Sequence, residues 1–131
     1  MDISKEYILM CEEAKEIQDL WNNPEVGDFT YNPPYSRWDS WVGCVGDKDC
    51  YLVKNTENGS SIWLPRQDQL QEMIVTLGMS SATFLQTMAN KVWDSMQSCD
   101  YYLQFKSMEQ LWLGFIMFEK YNKKWNGKDW R

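Results

Sequence analysis

Polar and apolar positions change rhythm along this chain, and each change marks an element. From Ser4 to about Trp21, Tyr7, Met10 or Cys11, Ala14, Ile17 and Trp21 recur at steps of three and four, while Glu6, Glu12, Glu13, Lys15 and Glu16 fill the other faces. That spacing predicts a helix with one apolar stripe and an acidic back. Ser4 can accept from the unbonded N–H groups at its start. Asn22, Asn23, Pro24 and Gly27 stop it.

Between Asp28 and Leu64 aromatic and β-branched residues are punctuated by turn formers, which predicts strands over Phe29 to Tyr31, Arg37 to Val45, Cys50 to Lys54 and Ser61 to Leu64. Gly46-Asp47-Lys48-Asp49 and Glu57-Asn58-Gly59-Ser60 read as the turns. The second contains Asn-Gly, which supplies the positive φ angles of a tight hairpin. Pro33-Pro34 cannot donate to a ladder and marks a loop or sheet edge.

Helical spacing returns at Pro65, read as a first helical position, and runs through Leu70, Met73, Ile74 and Leu77 to a stop at Gly78. Ser80 or Ser81 opens the next helix, with Phe84, Leu85, Met88, Val92, Trp93 and Met96 as its expected core stripe up to about Ser98. Ser107 and Gln110 match a capping box before Leu111, Trp112, Phe115, Ile116, Phe118 and Tyr121, and Asn126-Gly127 is the expected end. Glu109 near the start and Lys120, Lys123 and Lys124 near the end complement the helix dipole. Together these elements predict an α+β fold. An N-terminal helix, a small antiparallel sheet of about four short strands and three C-terminal helices covering one sheet face form a single domain over residues 1–131.

Composition narrows the function. There is no histidine among 131 residues, against eight tryptophans, seven tyrosines and five phenylalanines. Histidine is the commonest general base and metal ligand near neutral pH, whereas aromatics dominate binding hot spots. The expected mode is binding without catalysis, and no cofactor or metal is called for. Thiols such as Cys11 lack a histidine base, no GxSxG or phosphate-loop glycine pattern occurs, and Glu12, Glu13 and Glu16 share a polar helix face.

The net charge of −6 disfavours nucleic acid and anionic membrane surfaces as partners. Residues 1–60 carry −7 and residues 61–131 carry +1, so the acidity sits in the N-terminal half, where it fits a solvated helix face or could steer a basic partner. Cys11, Cys44, Cys50 and Cys99 form no CxxC pair and follow no signal-peptide pattern, which reads as reduced thiols in a cytoplasmic protein. A Cys44–Cys50 bridge would close a small loop under oxidation, and a zinc site would need all four sulfurs to converge. The longest uncharged apolar run, Leu111 to Phe118, is far short of the ~20 residues of a membrane span.

The segments SIWLPRQDQLQEM at Ser61–Met73 and SMEQLWLGFIMFEKYNKKWNGKDW at Ser107–Trp130 resemble a group of short, functionally unassigned proteins encoded in phages and prophages of Gram-positive bacteria. The resemblance covers about forty residues and implies origin only: an accessory gene product acting in the bacterial host cytoplasm. It brings no catalytic residues with it.

Two clusters are candidate binding sites. Trp63 and Arg66 stand where a strand hands over to a helix, so helix-start N–H groups and a guanidinium could hold a phosphate or carboxylate, although capping by Asp68 and packing explain the same residues. Tyr31, Tyr35, Arg37, Trp38 and Trp41 could line a groove that stacks a planar ligand or grips a partner. On one strand Trp38 and Trp41 face opposite ways, so one of them is expected at the surface. The leading expectation is a stoichiometric inhibitor of a host protein, directed at a bacterial defence system in the manner of anti-CRISPR proteins. A sponge for a small nucleotide, built on Arg37, Arg66 and the strand aromatics, and a helper of phage replication or assembly are the alternatives. The sequence specifies neither the target nor the oligomeric state.

Overall fold

The computed structural model describes residues 1–34, 39–48, 52, 59–75, 78, 80–98 and 100–131, with the side chains of 75 and 95–98 also left outside the description. Tyr35, Arg37 and Trp38 therefore lie outside the described residues, as do Cys50, Cys99, Asn58, Leu77, the Met96 side chain and the expected strand over Cys50 to Lys54 apart from Leu52. The fold is α+β, with an N-terminal helical segment, an antiparallel sheet and C-terminal helices. The chain divides into two compact units, residues 3–66 and residues 67–131 with 1–2.

In the first unit, helix α1 spans Lys5–Glu13 and α2 spans Lys15–Gln18. The Ser4 side chain accepts from the Tyr7 N–H at 3.2 Å, as the N-cap reading required. The expected single helix to Trp21 is instead broken at Ala14, whose ψ of 68° leaves the helical region. The Ala14 N–H still reaches the Met10 and Cys11 carbonyls, and Lys15 Nζ donates to the Glu12 carbonyl at 2.7 Å, so the broken turn keeps its hydrogen bonds. Tyr7, Met10, Cys11, Ala14 and Ile17 are fully buried.

Strands β1 (Phe29–Asn32), β2 (Trp41–Cys44) and β3 (Ile62–Leu64) form an antiparallel sheet in the order β2-β1-β3. Among the described residues three strands thus stand where about four were expected. Asn32 pairs with Trp41, Thr30 with Gly43 and Trp63, and Phe29 with Cys44 and Leu64. The outer edge of β3 is closed by a side chain: the Gln18 amide donates to the Trp63 carbonyl and accepts from the Trp63 N–H, both at 2.9 Å. One amide thereby does for β3 what a fourth strand would do. The break at Ala14 lies just before this contact. Tyr7 Oη adds a second tie by donating to the Pro65 carbonyl at 2.6 Å.

The second unit contains α3 (Gln67–Val75), α4 (Ser81–Ser98), a 3-10 turn at Tyr102–Gln104 and α5 (Met108–Tyr121). Pro65 precedes α3 by two residues and is not its first position. Ser80 Oγ accepts from the Thr83 N–H at 3.2 Å and caps α4. Ser107 Oγ accepts from Gln110 N–H at 3.1 Å, one half of the expected capping box. The other half is shifted by one residue, because Gln110 Oε1 accepts from Lys106 N–H, not from Ser107. Asp2 completes the arrangement, accepting from Ser107 Oγ at 2.6 Å and Gln110 Nε2 at 2.8 Å. A carboxylate at a helix start is favoured by the helix dipole.

The expected end of α5 at Asn126-Gly127 is corrected by four residues. Asn122 adopts the left-handed conformation with φ 55°, and the N–H groups of Asn122 and Lys123 bond the carbonyls of Phe118 and Met117. Asparagine tolerates this region better than other residues with a Cβ, which lets it stop the helix here. Asn126-Gly127 turns the tail instead, so that Trp125 and Trp130 meet at 5.0 Å between ring centroids and are both buried.

Tyr101 holds that tail, accepting from the Trp125 N–H at 3.1 Å. Burial pushes its hydroxyl up from 10.0 to about 12, opposed in part by the Trp125 hydrogen bond. The folded state thus keeps this proton more tightly than the unfolded chain. Its contribution to stability is intact below pH 10 and is lost as pH rises through about 12. Urea midpoints measured across that window should fall more steeply for the wild-type chain than for Tyr101→Phe; coincident slopes would assign the alkaline loss to another group.

Candidate functional site

The structure gives the sequence-predicted site residues different fates. Tyr35, Arg37 and Trp38 are outside the described residues. Trp41 and Trp63 share one face of the sheet, since they pair with Asn32 and Thr30, two residues apart on β1. Trp41 is half-buried, whereas Trp63 is buried and lies parallel to Trp21, with ring centroids 6.2 Å apart. Trp21 Nε1 in turn donates to Asp28 Oδ2 at 2.8 Å.

The floor between Trp41 and Trp63 is polar and internally bonded. Asn32 Nδ2 donates to Thr30 Oγ1 at 3.1 Å, and Ser61 Oγ donates to Asn32 Oδ1 at 2.6 Å. Arg66, expected at an anion, donates from Nη1 to the Gly27 carbonyl at 2.5 Å and so ties the loop before β1 to the end of β3. Trp63 is thus packed on Trp21, and Arg66 is engaged with the Gly27 carbonyl.

A different surface carries exposed binding chemistry. On α4, Phe84 and Met88 are buried and Lys91 is half-buried, its ammonium contacting Glu119 and lying 5.1 Å over the Phe118 ring. These residues hold the inner side of α4 toward α5. Leu85 and Trp93, expected in the same core stripe, are instead 51% and 62% exposed. The correction follows from phase: Trp93 stands nine residues after Phe84, two and a half turns at ~3.6 residues per turn, and so points away from it. Leu85, Ala89 and Trp93 therefore line an outer stripe at steps of four.

Every exposed position from Ser81 to Trp93 is uncharged: Ser81, Ala82, Thr83, Leu85, Gln86, Ala89, Asn90 and Trp93. In a chain in which 24% of residues are charged, that depletion is local and marked. An exposed tryptophan at the end of such an uncharged stretch, with exposed Asp94 beside it, has the composition of an interface residue. The scan of protein-family models, the search of curated proteins and the search of solved structures returned no match. The site is accordingly defined by its own geometry.

Trp93 is the residue on which this surface can be tested without disturbing the fold. Because its ring is largely in solvent, Trp93→Ser should shift unfolding free energy by no more than ~0.5 kcal/mol. Chemical denaturation checks this, and a larger loss would place the ring in the core. Among the described residues no helix is long and apolar enough to cross a membrane.

Proposed function

We propose that this chain is a phage- or prophage-type accessory protein that works without catalysis, by stoichiometric binding to a bacterial host protein that belongs to a defence system. The observation that carries the reading is the outer face of α4, where Leu85, Ala89 and Trp93 follow one another at steps of four and no exposed position from Ser81 to Trp93 is charged. Helices that present apolar anchors at this spacing dock into hydrophobic grooves of protein partners. A tryptophan at such a face is the side chain most often found to dominate binding energy. The lack of histidine supports a binding role over turnover. Origin rests on the resemblance of the Ser61–Met73 and Ser107–Trp130 segments to phage-encoded proteins, and the target class is inferred from that origin.

The test is a plating experiment on hosts with and without defence systems, using phage that carry the wild-type gene, the Trp93→Ser gene or neither. The expected result is that the wild-type gene raises plating on a defended host alone and that the Trp93→Ser gene behaves as a deletion. Equal plating of all three phages across a panel of defended hosts overturns the reading.

A further inference from the structure

We infer that Asn126 is a self-modifying residue: its side-chain amide is lost as ammonia when the tail opens, and the carboxylate that replaces it keeps the tail open. The site is the turn from Asn126 to Asp129 and is independent of the α4 face.

The reaction needs no partner beyond water. An asparagine followed by glycine is open to attack by the next backbone nitrogen, because glycine has no Cβ to obstruct the approach. The Gly127 nitrogen bonds to Asn126 Cγ and gives up its proton, the Cγ–Nδ2 bond breaks, and Nδ2 leaves with that proton as ammonia. Water then opens the cyclic imide, at Cγ to give aspartate or at the backbone carbonyl to give isoaspartate. One amide and one water become one acid and one ammonia, and the loss of ammonia makes the change one-way.

In the folded chain the nucleophile is free and its target is pinned. The Gly127 N–H donates to nothing among the described residues, and no atom lies within 4 Å of the place a Cβ would take. Asn126 and Gly127 are exposed, so water reaches both. The Asn126 side chain is held at both ends: Oδ1 accepts from the Lys128 and Asp129 N–H groups, each at 2.9 Å, and Nδ2 donates to Asp129 Oδ1. Ring closure must turn Cγ toward the Gly127 nitrogen and release Nδ2, so these bonds break first. The turn is itself tied to the tail, since Asn126 N–H donates to the Asp129 carbonyl at 3.2 Å and Arg131 N–H to the Lys124 carbonyl at 3.0 Å. Closure of the tail therefore protects Asn126, and local opening exposes it.

Either product undoes the latch. Aspartate has no N–H to donate and sets a carboxylate against Asp129 Oδ1. Asp129 is charged: desolvation pushes its carboxyl up, but the Asn126 hydrogen bond and the Arg131 and Lys128 charges hold it below the usual carboxylate value. Two carboxylates in contact repel, and Arg131 is already engaged by Asp129 through Nε at 3.0 and 3.2 Å. Isoaspartate takes Cγ into the main chain and loses the side-chain oxygen that accepts from Lys128 and Asp129. Release of the tail uncovers Trp125 and Trp130, which are 3% and 7% exposed while it is closed.

Peptide mapping by mass spectrometry follows the conversion in the purified full chain at mildly alkaline pH. Asn58-Gly59, the other Asn-Gly step of the sequence, is the reference in urea, where both should convert at similar rates. In native buffer Asn126 should convert ~10-fold more slowly than in urea, the protection given by a hydrogen-bonded turn. Tyr101→Phe removes the acceptor of the Trp125 N–H and should recover part of that difference. An Asn126 that converts as fast folded as unfolded, or not at all once Tyr101→Phe has loosened the tail, overturns the inference. Hydrogen exchange reads the consequence: Asn126→Asp should speed exchange of the Trp125 and Arg131 amides about tenfold, the effect of losing a charge-assisted hydrogen bond. Adding Asp129→Asn should restore wild-type exchange, because an amide then donates to the carboxylate in the reverse sense. Exchange unchanged by Asn126→Asp, or not restored by the second substitution, overturns the inference as well.

Discussion

Trp112→Ala is expected to lower unfolding free energy by about 3–5 kcal/mol, the range for removing a buried tryptophan. Trp112 is 2% exposed, and its ring stacks on Phe84 at 4.1 Å between centroids. Phe84 also meets Phe115 edge-on at 4.7 Å, so loss of the indole leaves a cavity against two further rings. Trp112→Phe should cost much less. The indole Nε1 is buried with no hydrogen-bond partner among the described residues, so the substitution removes an unsatisfied donor together with part of the ring. Urea denaturation followed by near-ultraviolet circular dichroism checks both variants. Equal losses for alanine and phenylalanine would show that lost volume does not set the cost, since phenylalanine keeps much of the packing that alanine gives up.

Gly114→Ala is expected to destabilise the chain, against the direction that helix propensity gives. Alanine is favoured over glycine inside a helix by about 1 kcal/mol, and Gly114 lies in the middle of α5. A Cβ at this position would fall 2.5 Å from Phe105 Cε2 and closer still to Cζ. Phe105 cannot swing aside without loss, because its ring packs edge-on against Tyr101 at 5.4 Å and tilted against Tyr102 at 6.4 Å. Overpacking of this kind costs ~1–3 kcal/mol, which outweighs the gain in propensity. A double-mutant cycle separates the two effects: in a Phe105→Ala background, Gly114→Ala should turn neutral or stabilising. If Gly114→Ala destabilises by the same amount in both backgrounds, the ring contact is not the cause.

How much of this was legible in the sequence depends on the range of the interaction. Ser4 and Ser107 act as N-caps where the local sequence placed them, because a cap bonds an N–H only three residues away. Strand segments at Phe29 and Ile62 were marked by β-branched and aromatic residues between turn formers. The break at Ala14 was not legible, since helical spacing continues through it, and neither was the closure of β3 by Gln18 across 45 residues. The end of α5 at Asn122 is not legible because Asn126-Gly127 is the stronger local turn signal. At the candidate site the exposure of Trp93 was within reach of phase alone. Steps of three and four, without the angle they accumulate, predict a core position for it.

Chain composition and spacing by themselves determined that this protein has an α+β fold, where most of its helices begin, and that it lacks the side chain most often used for proton transfer near neutral pH. Only tertiary structure decided which of the many aromatics are spent on packing. Trp63 lies against Trp21, Trp112 against Phe84 and Trp125 against Trp130, whereas Trp93 is left in solvent. The physical reason is that burial energy is non-directional: any tryptophan gains by leaving water, and which ones succeed depends on the neighbours that distant segments bring within contact.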